Sequence, residues 1–185
     1  MKKTKKLAFS AIMIALSAVL VIVSKLIPSV WLQGGSVTLA SMVPIISVSL
    51  VIGTKWGLLS GFVFSLIQMM TGFYPPPANN VISFFLVIML DYVLAFTLLG
   101  SADFFAKLMR GKRYAIPVSG FVVTFIRYLC HIASGILIWH VYAGEQTVLA
   151  YAVTYNGTYM IPEIIITTVV LSLMSGFIIK GKENF

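Results

Sequence analysis

The run 81–100 is apolar at most positions, yet it carries a carboxylate, Asp91, at its middle. Inside a bilayer the backbone of such a run must close its own hydrogen bonds, so it has to be a helix. It has the ~20 residues that a span needs. A charge at that depth costs about 2.5–3.5 kcal/mol even on permissive insertion scales, and such residues turn toward a partner or a watery cavity. The run therefore sets two requirements: the chain is a helical membrane protein, and something inside it receives Asp91.

Composition agrees. Of the 185 residues, 59% are hydrophobic and 10% charged, against about 25% charged in a soluble domain, and the mean hydropathy is +1.02. The expected fold is an all-α integral membrane domain over 1–185, with no room for an ATPase domain. Cys130 is the one cysteine, so no intrachain disulfide can form. The net charge of +8 raises nucleic acid as a partner. However, the basic residues cluster between apolar segments, as cytoplasmic loops do, and this points to a lipid bilayer instead. The start, Met1-Lys-Lys-Thr-Lys-Lys, leads into an apolar run read as a retained first helix, not a cleaved signal peptide.

Six segments are predicted, over 7–27, 37–52, 56–71, 81–105, 115–141 and 148–179. Pro44 falls inside the second and Pro162 marks a kink in the sixth. Segments two and three are short for a full span. The N-terminal tail, the second loop with Lys55, the fourth loop (Lys107, Arg110, Lys112, Arg113) and the tail (Lys180, Lys182) hold 11 of the 13 Lys and Arg residues. This asymmetry predicts both termini in the cytoplasm, with the first, third and fifth loops facing outward. No internal repeat is visible, which weighs against an autonomous alternating-access carrier.

Arg127 and His131 are four apart and share a face of the fifth helix. Gly135 continues that face, leaving room for a ring, and Trp139 lies a turn further on. One reading makes these the lining of a small-molecule pocket. The other is a structural ion pair, Asp91 with Arg127, joining helices four and five. Trp139 and Trp31 are open to two readings as well, since tryptophan anchors helices at membrane interfaces and also stacks on cations. Tyr151, Tyr155 and Tyr159 recur every four residues, as a pocket wall or an aromatic belt. Asn156 requires a partner. Ala11 and Ala15 form a small-xxx-small pair that lets another helix approach closely. Cys130 points about 100° away from His131 and is read as packing. No nucleophile elbow, phosphate loop or carboxylate pair is found, and His131 and His140 do not have metal-ligand spacing. The expectation is a protein that is not an enzyme, with no cofactor and no metal.

At these residues the chain resembles the substrate-binding S-components of energy-coupling factor (ECF) vitamin transporters, specifically the thiamin-specific group. The stretches that carry the likeness are Gln33-Gly-Gly-Ser-Val37, Leu90-Asp-Tyr92, Arg127-Tyr-x-x-His131-x-x-Ser-Gly135, Trp139 and Tyr151-x-x-x-Tyr-Asn156-x-Thr-Tyr-Met-Ile-Pro162. The resemblance implies six helices with the vitamin bound near the outer surface, under the first loop. It assigns Asp91 as the acidic position, Tyr92 beside it, Arg127 as the basic position, His131, Trp139 as the stacking ring, and Tyr151 and Asn156 as a polar pair. Tyr74 from the third loop and Trp31 from the first complete the set. Some members carry Glu and Lys where this chain has Asp91 and Arg127, which keeps charge but changes reach. Ala11 and Ala15 resemble the docking motif for the membrane coupling subunit. The implied protein is a multi-pass subunit of the bacterial cytoplasmic membrane. It captures thiamin, or close analogues, with high affinity and works with a coupling subunit and two ATPase subunits. The alternatives are an S-component for another vitamin, an ion-coupled solute carrier with Asp91 as coupling residue, and a small membrane enzyme.

Overall fold

The structure is a computed structural model that describes residues 3–26, 35–110 and 112–183. All regular elements among these are helical. They are α1 (Lys3–Ser24), α2 (Val43–Ile52), α3 (Thr54–Gly72), α4 (Val81–Leu108), α5 (Ala115–Leu137) and α6 (Val148–Glu183). The six expected segments are thus all present. Only α1, α4, α5 and α6 are long and apolar enough to cross a membrane. The two short segments are α2, with 10 residues, and α3, in which Lys55, Ser60, Ser65 and Gln68 interrupt the apolar run.

α2 is apolar on all sides and buried from Val43 to Val51, as expected of a helix at the centre of a bundle. Around it pack Phe64 of α3, Phe96 and Leu99 of α4, Val123 of α5 and Leu171 of α6. Outside this core the polarity is inverted. Leu7, Ile12, Val81, Phe85, Leu173 and Phe177 all face outward, the surface a bilayer requires. Small residues let the helices close up. A Cβ on Gly57 would stand 2.5 Å from the Gly100 carbonyl oxygen, so α3 and α4 meet backbone to backbone. Away from the loops of the site, Asp103 draws in Lys107 at 2.6 Å and Lys182 at 3.3 Å, tying α4 to the end of α6.

Two of the boundaries that differ from expectation, and the interior of one helix, have local reasons. α2 begins at Val43, not 37: residues 35–38 have no regular structure, Ala40 takes φ +59°, and Pro44 sits in the helix's first turn, where its missing N–H leaves no bond unmade. α5 ends at Leu137, not 141. Ile138 departs from helical geometry with φ −124°, and Trp139–Tyr142 form a separate 3-10 turn. α4 is one continuous helix that loosens to a π-helical turn over Ile88–Leu94 and tightens to a 3-10 turn over Leu98–Ser101. π turns concentrate at functional sites, and this one holds Asp91 and Tyr92. α6 runs on through Pro162.

Candidate functional site

Asp91 projects from the π turn of α4 toward the last turns of α5. One carboxylate oxygen lies 3.0 Å from His131 Nδ1. The other accepts the Ser134 hydroxyl at 2.6 Å and the Trp139 indole N–H at 3.1 Å. His131 and Ser134 are three apart on one face of α5. Trp139 reaches the same oxygen because the chain breaks at Ile138 and turns the indole inward.

The structural ion pair between Asp91 and Arg127, one of the two readings of the sequence, is not formed. The carboxylate is aimed one turn past Arg127, and His131 is its hydrogen-bond partner. Arg127 instead lies over the Phe96 ring, 4.2 Å from its centroid, and its Nε donates to His131 Nε2 at 3.3 Å. Nε2 therefore accepts, and Nδ1 carries the proton toward Asp91. His131 is held as one neutral tautomer between the two charges.

Gly135 does not open space for a ring. A Cβ there would stand 2.8 Å from Ala152 Cβ and 3.1 Å from Asn156 Nδ2, because α6 crosses α5 at this point. The crossing fixes Asn156, whose Nδ2 donates to the carbonyls of His131 (3.2 Å) and Ala152 (2.8 Å). Its Oδ1 accepts the Tyr159 hydroxyl.

Tyr92 has its hydroxyl engaged: it donates to the Gly72 carbonyl at 3.0 Å and accepts the Tyr74 N–H at 2.9 Å. It pins the start of the third loop and sets Tyr74 beside Trp139, ring centroids 5.5 Å apart. The Tyr151 hydroxyl is different. It is buried and has no hydrogen-bond partner among the described residues, and its ring stacks on Tyr155 at 5.5 Å.

These side chains enclose one cavity of about 160 Å³. Asp91, Tyr92, Arg127, His131, Trp139, Tyr151, Asn156 and Tyr74 all line it. Trp31 and Gln33 lie outside the described residues. Ala11 and Ala15 are elsewhere, on the exposed face of α1. Sequence reasoning missed Gly35, Ser36, Gln68, Phe96, Tyr155 and Tyr159 as lining residues, Ser134 as a ligand of Asp91, and Glu163. Ser134 was within reach of the helical spacing that paired Arg127 with His131. Tyr155 and Tyr159 were noticed as a periodic face and not carried into the site. Glu163, the sole acid of its apolar run, called for the argument applied to Asp91.

The arrangement suits the binding of a small molecule. It offers a carboxylate, flat rings on several sides and one unengaged hydroxyl. Among the described residues no group of three His, Cys, Asp or Glu side chains is placed to hold a metal ion.

Comparison with known proteins places the chain. The profile of a family described as thiamine transporter protein (Thia_YuaJ) matches residues 7–180. The thiamine transporter ThiT of Bacillus subtilis is 35% identical, with 94% of this chain and 91% of that protein aligned. A solved structure of ThiT from Listeria monocytogenes superposes with a TM-score of 0.75 at 20% identity, covering 98% of this chain and 99% of that one; at that identity the likeness speaks for the fold. The family is one of transporters, not enzymes, and with its profile covering nearly the whole chain, this protein belongs to the thiamine transporter protein family.

Proposed function

We propose that this chain is the thiamin-capturing S-component of an ECF-type importer. The observation that carries the reading is the Asp91 carboxylate, held by His131, Ser134 and Trp139 at the wall of an aromatic cavity. Thiamin has a permanently cationic thiazolium ring and an aminopyrimidine ring. The carboxylate complements the cation or the amino group, Trp139 and His131 give faces to stack on, and the Tyr151 hydroxyl awaits a hydrogen bond. In a cavity of low dielectric each of these is stronger than in water, and an analogue lacking a polar group leaves a buried partner unpaired.

Charge supports an orientation. The cavity sits where Lys25 donates to the Thr71 carbonyl, at the ends of α1 and α3. Lys3, Lys5, Lys6, Lys55, Lys107, Arg110, Lys112, Arg113, Lys180 and Lys182 belong to the opposite helix ends and their loops. By the positive-inside rule that end, with both termini, is cytoplasmic, and the cavity opens outward in a bacterial cytoplasmic membrane. Alanines 11 and 15 then lie along the middle of α1, exposed and small, fitting close approach by a helix of the coupling subunit. That subunit and two ATPases would supply the energy.

Titration of the purified chain with thiamin and a panel of other vitamins tests the reading. Saturable one-to-one binding of thiamin alone is expected. Preference for another vitamin would reassign the substrate, and thiamin uptake by cells lacking the ATPases would favour an ion-coupled carrier.

A further inference from the structure

Besides Asp103, a second carboxylate is fully buried in this bundle, and it does not line the cavity. Glu163 of α6 is only 2% exposed. One of its oxygens accepts the backbone N–H of Thr38, and the other has no hydrogen-bond partner among the described residues. Its level in the bundle follows from helix geometry. α5 and α6 run antiparallel, and His131 meets Tyr159 edge-on, centroids 5.9 Å apart. One turn back along α5 is Arg127, and one turn forward along α6 is Glu163, so the two stand at the same depth. Among the described residues no carboxylate lies within ion-pair distance of the Arg127 guanidinium, so its charge is answered at longer range.

We infer that Glu163 is the counter-charge of Arg127, and that by answering it Glu163 leaves Asp91 uncompensated and so sets the site's preference for a cationic ligand. This rests on the thiamin reading above. The charges at the site are Arg127, Asp91 and Glu163, with His131 neutral by its hydrogen bonds. Their balance is one net negative charge, which a monocation cancels. An uncompensated charge in a medium of low dielectric is costly, so the empty site favours a ligand that neutralises it. Without Glu163, Arg127 and Asp91 would cancel each other, and a cation would bring an uncompensated positive charge. Glu163 thus acts through Arg127, as a positioning residue for charge. Its bond to Thr38 places it also against residues 35–38, where Gly35, at φ +100°, leaves no room for a Cβ over the Tyr159 ring.

The test compares thiamin with an uncharged isostere in which a thiophene replaces the thiazolium ring, titrated calorimetrically into the purified full chain. Wild type should prefer thiamin. Glu163→Gln should weaken thiamin by roughly tenfold or more while the isostere binds as before or better, and Glu163→Asp should keep the preference. Should Glu163→Gln fail to fold with Arg127 unanswered, the double variant Arg127→Gln, Glu163→Gln removes both charges and should again prefer the cation. Equal weakening of both ligands by Glu163→Gln would mean that the residue only braces Thr38, and unchanged binding of both would mean that it carries no charge; either overturns the inference, as does a double variant that binds both alike. A wild type that prefers thiamin, combined with any of these, leaves the thiamin reading standing. A wild type that binds neither removes both.

Discussion

Asp91 is held by three donors, from His131, Ser134 and Trp139, and each of them also faces the cavity or abuts a residue that does. Replacing it with Asn keeps the shape but removes the charge and half of the acceptor capacity. Loss of one member of a buried charge interaction typically costs about 3–5 kcal/mol. Asp91→Asn should therefore reduce thiamin affinity by two orders of magnitude or more, in a protein that still elutes as a folded species; calorimetric titration measures it, and unchanged affinity would remove Asp91 from the site. Trp139 makes a separate prediction. Its indole N–H bonds Asp91 and Ser134, so Trp139→Phe deletes a donor as well as the wider ring. Thiamin should quench the fluorescence of wild type, and the variant should lose most of that quench together with affinity. A full signal and full affinity in Trp139→Phe would assign the residue to anchoring after all.

At the scale of elements, the site depends on irregularities that apolar patterning does not encode. Gly135 brings α6 within reach of α5, and Gly135→Val would drive two methyl groups into Ala152 and the Asn156 amide. Overpacking of this kind costs about 1–3 kcal/mol, so the variant should melt at lower temperature and bind more weakly, followed by thermal unfolding with and without thiamin. A melting point equal to wild type would contradict the crossing. The same crossing shows how far the sequence could be read. The apolar runs and the loop charges marked out six helices, because a bilayer demands length and hydrophobicity that survive in composition. The polar residues within those runs were legible too, since each costs energy in lipid and must be received somewhere. The partners were not legible. One reading matched Asp91 to Arg127 because opposite charges attract, but the carboxylate, carried on the π turn of α4, meets His131, and Trp139 joins it from the separate turn after Ile138. Neither deviation leaves a proline or glycine at its centre to announce it. Gly135 was read as space for a ligand, when a glycine in a membrane helix serves equally to admit a neighbouring helix.

At the scale of the whole molecule, the proposed capture site and the proposed docking face are separate. The cavity lies with the ends of α1 and α3 that Lys25 links, whereas Ala11 and Ala15 stand near the middle of α1 and face outward. The buried side of α1 is marked by Ser10, Ser17, Val21 and Ser24, so the alanines are free of the protein's own core. Replacing both with Trp would add bulk where a partner helix must come close, and would touch no cavity residue. The double variant should therefore bind thiamin with wild-type affinity yet fail to co-purify with the coupling subunit and its ATPases, and cells carrying it should lose thiamin uptake. Co-purification and titration on the same preparation separate the outcomes. Lost affinity with intact assembly would place the alanines in the binding site, and intact assembly with intact affinity would move the docking face off α1. Because an enlarged side chain acts by overlap, a single Ala15→Gly change should leave assembly unimpaired, which distinguishes a surface that needs smallness from one that reads the methyl group itself.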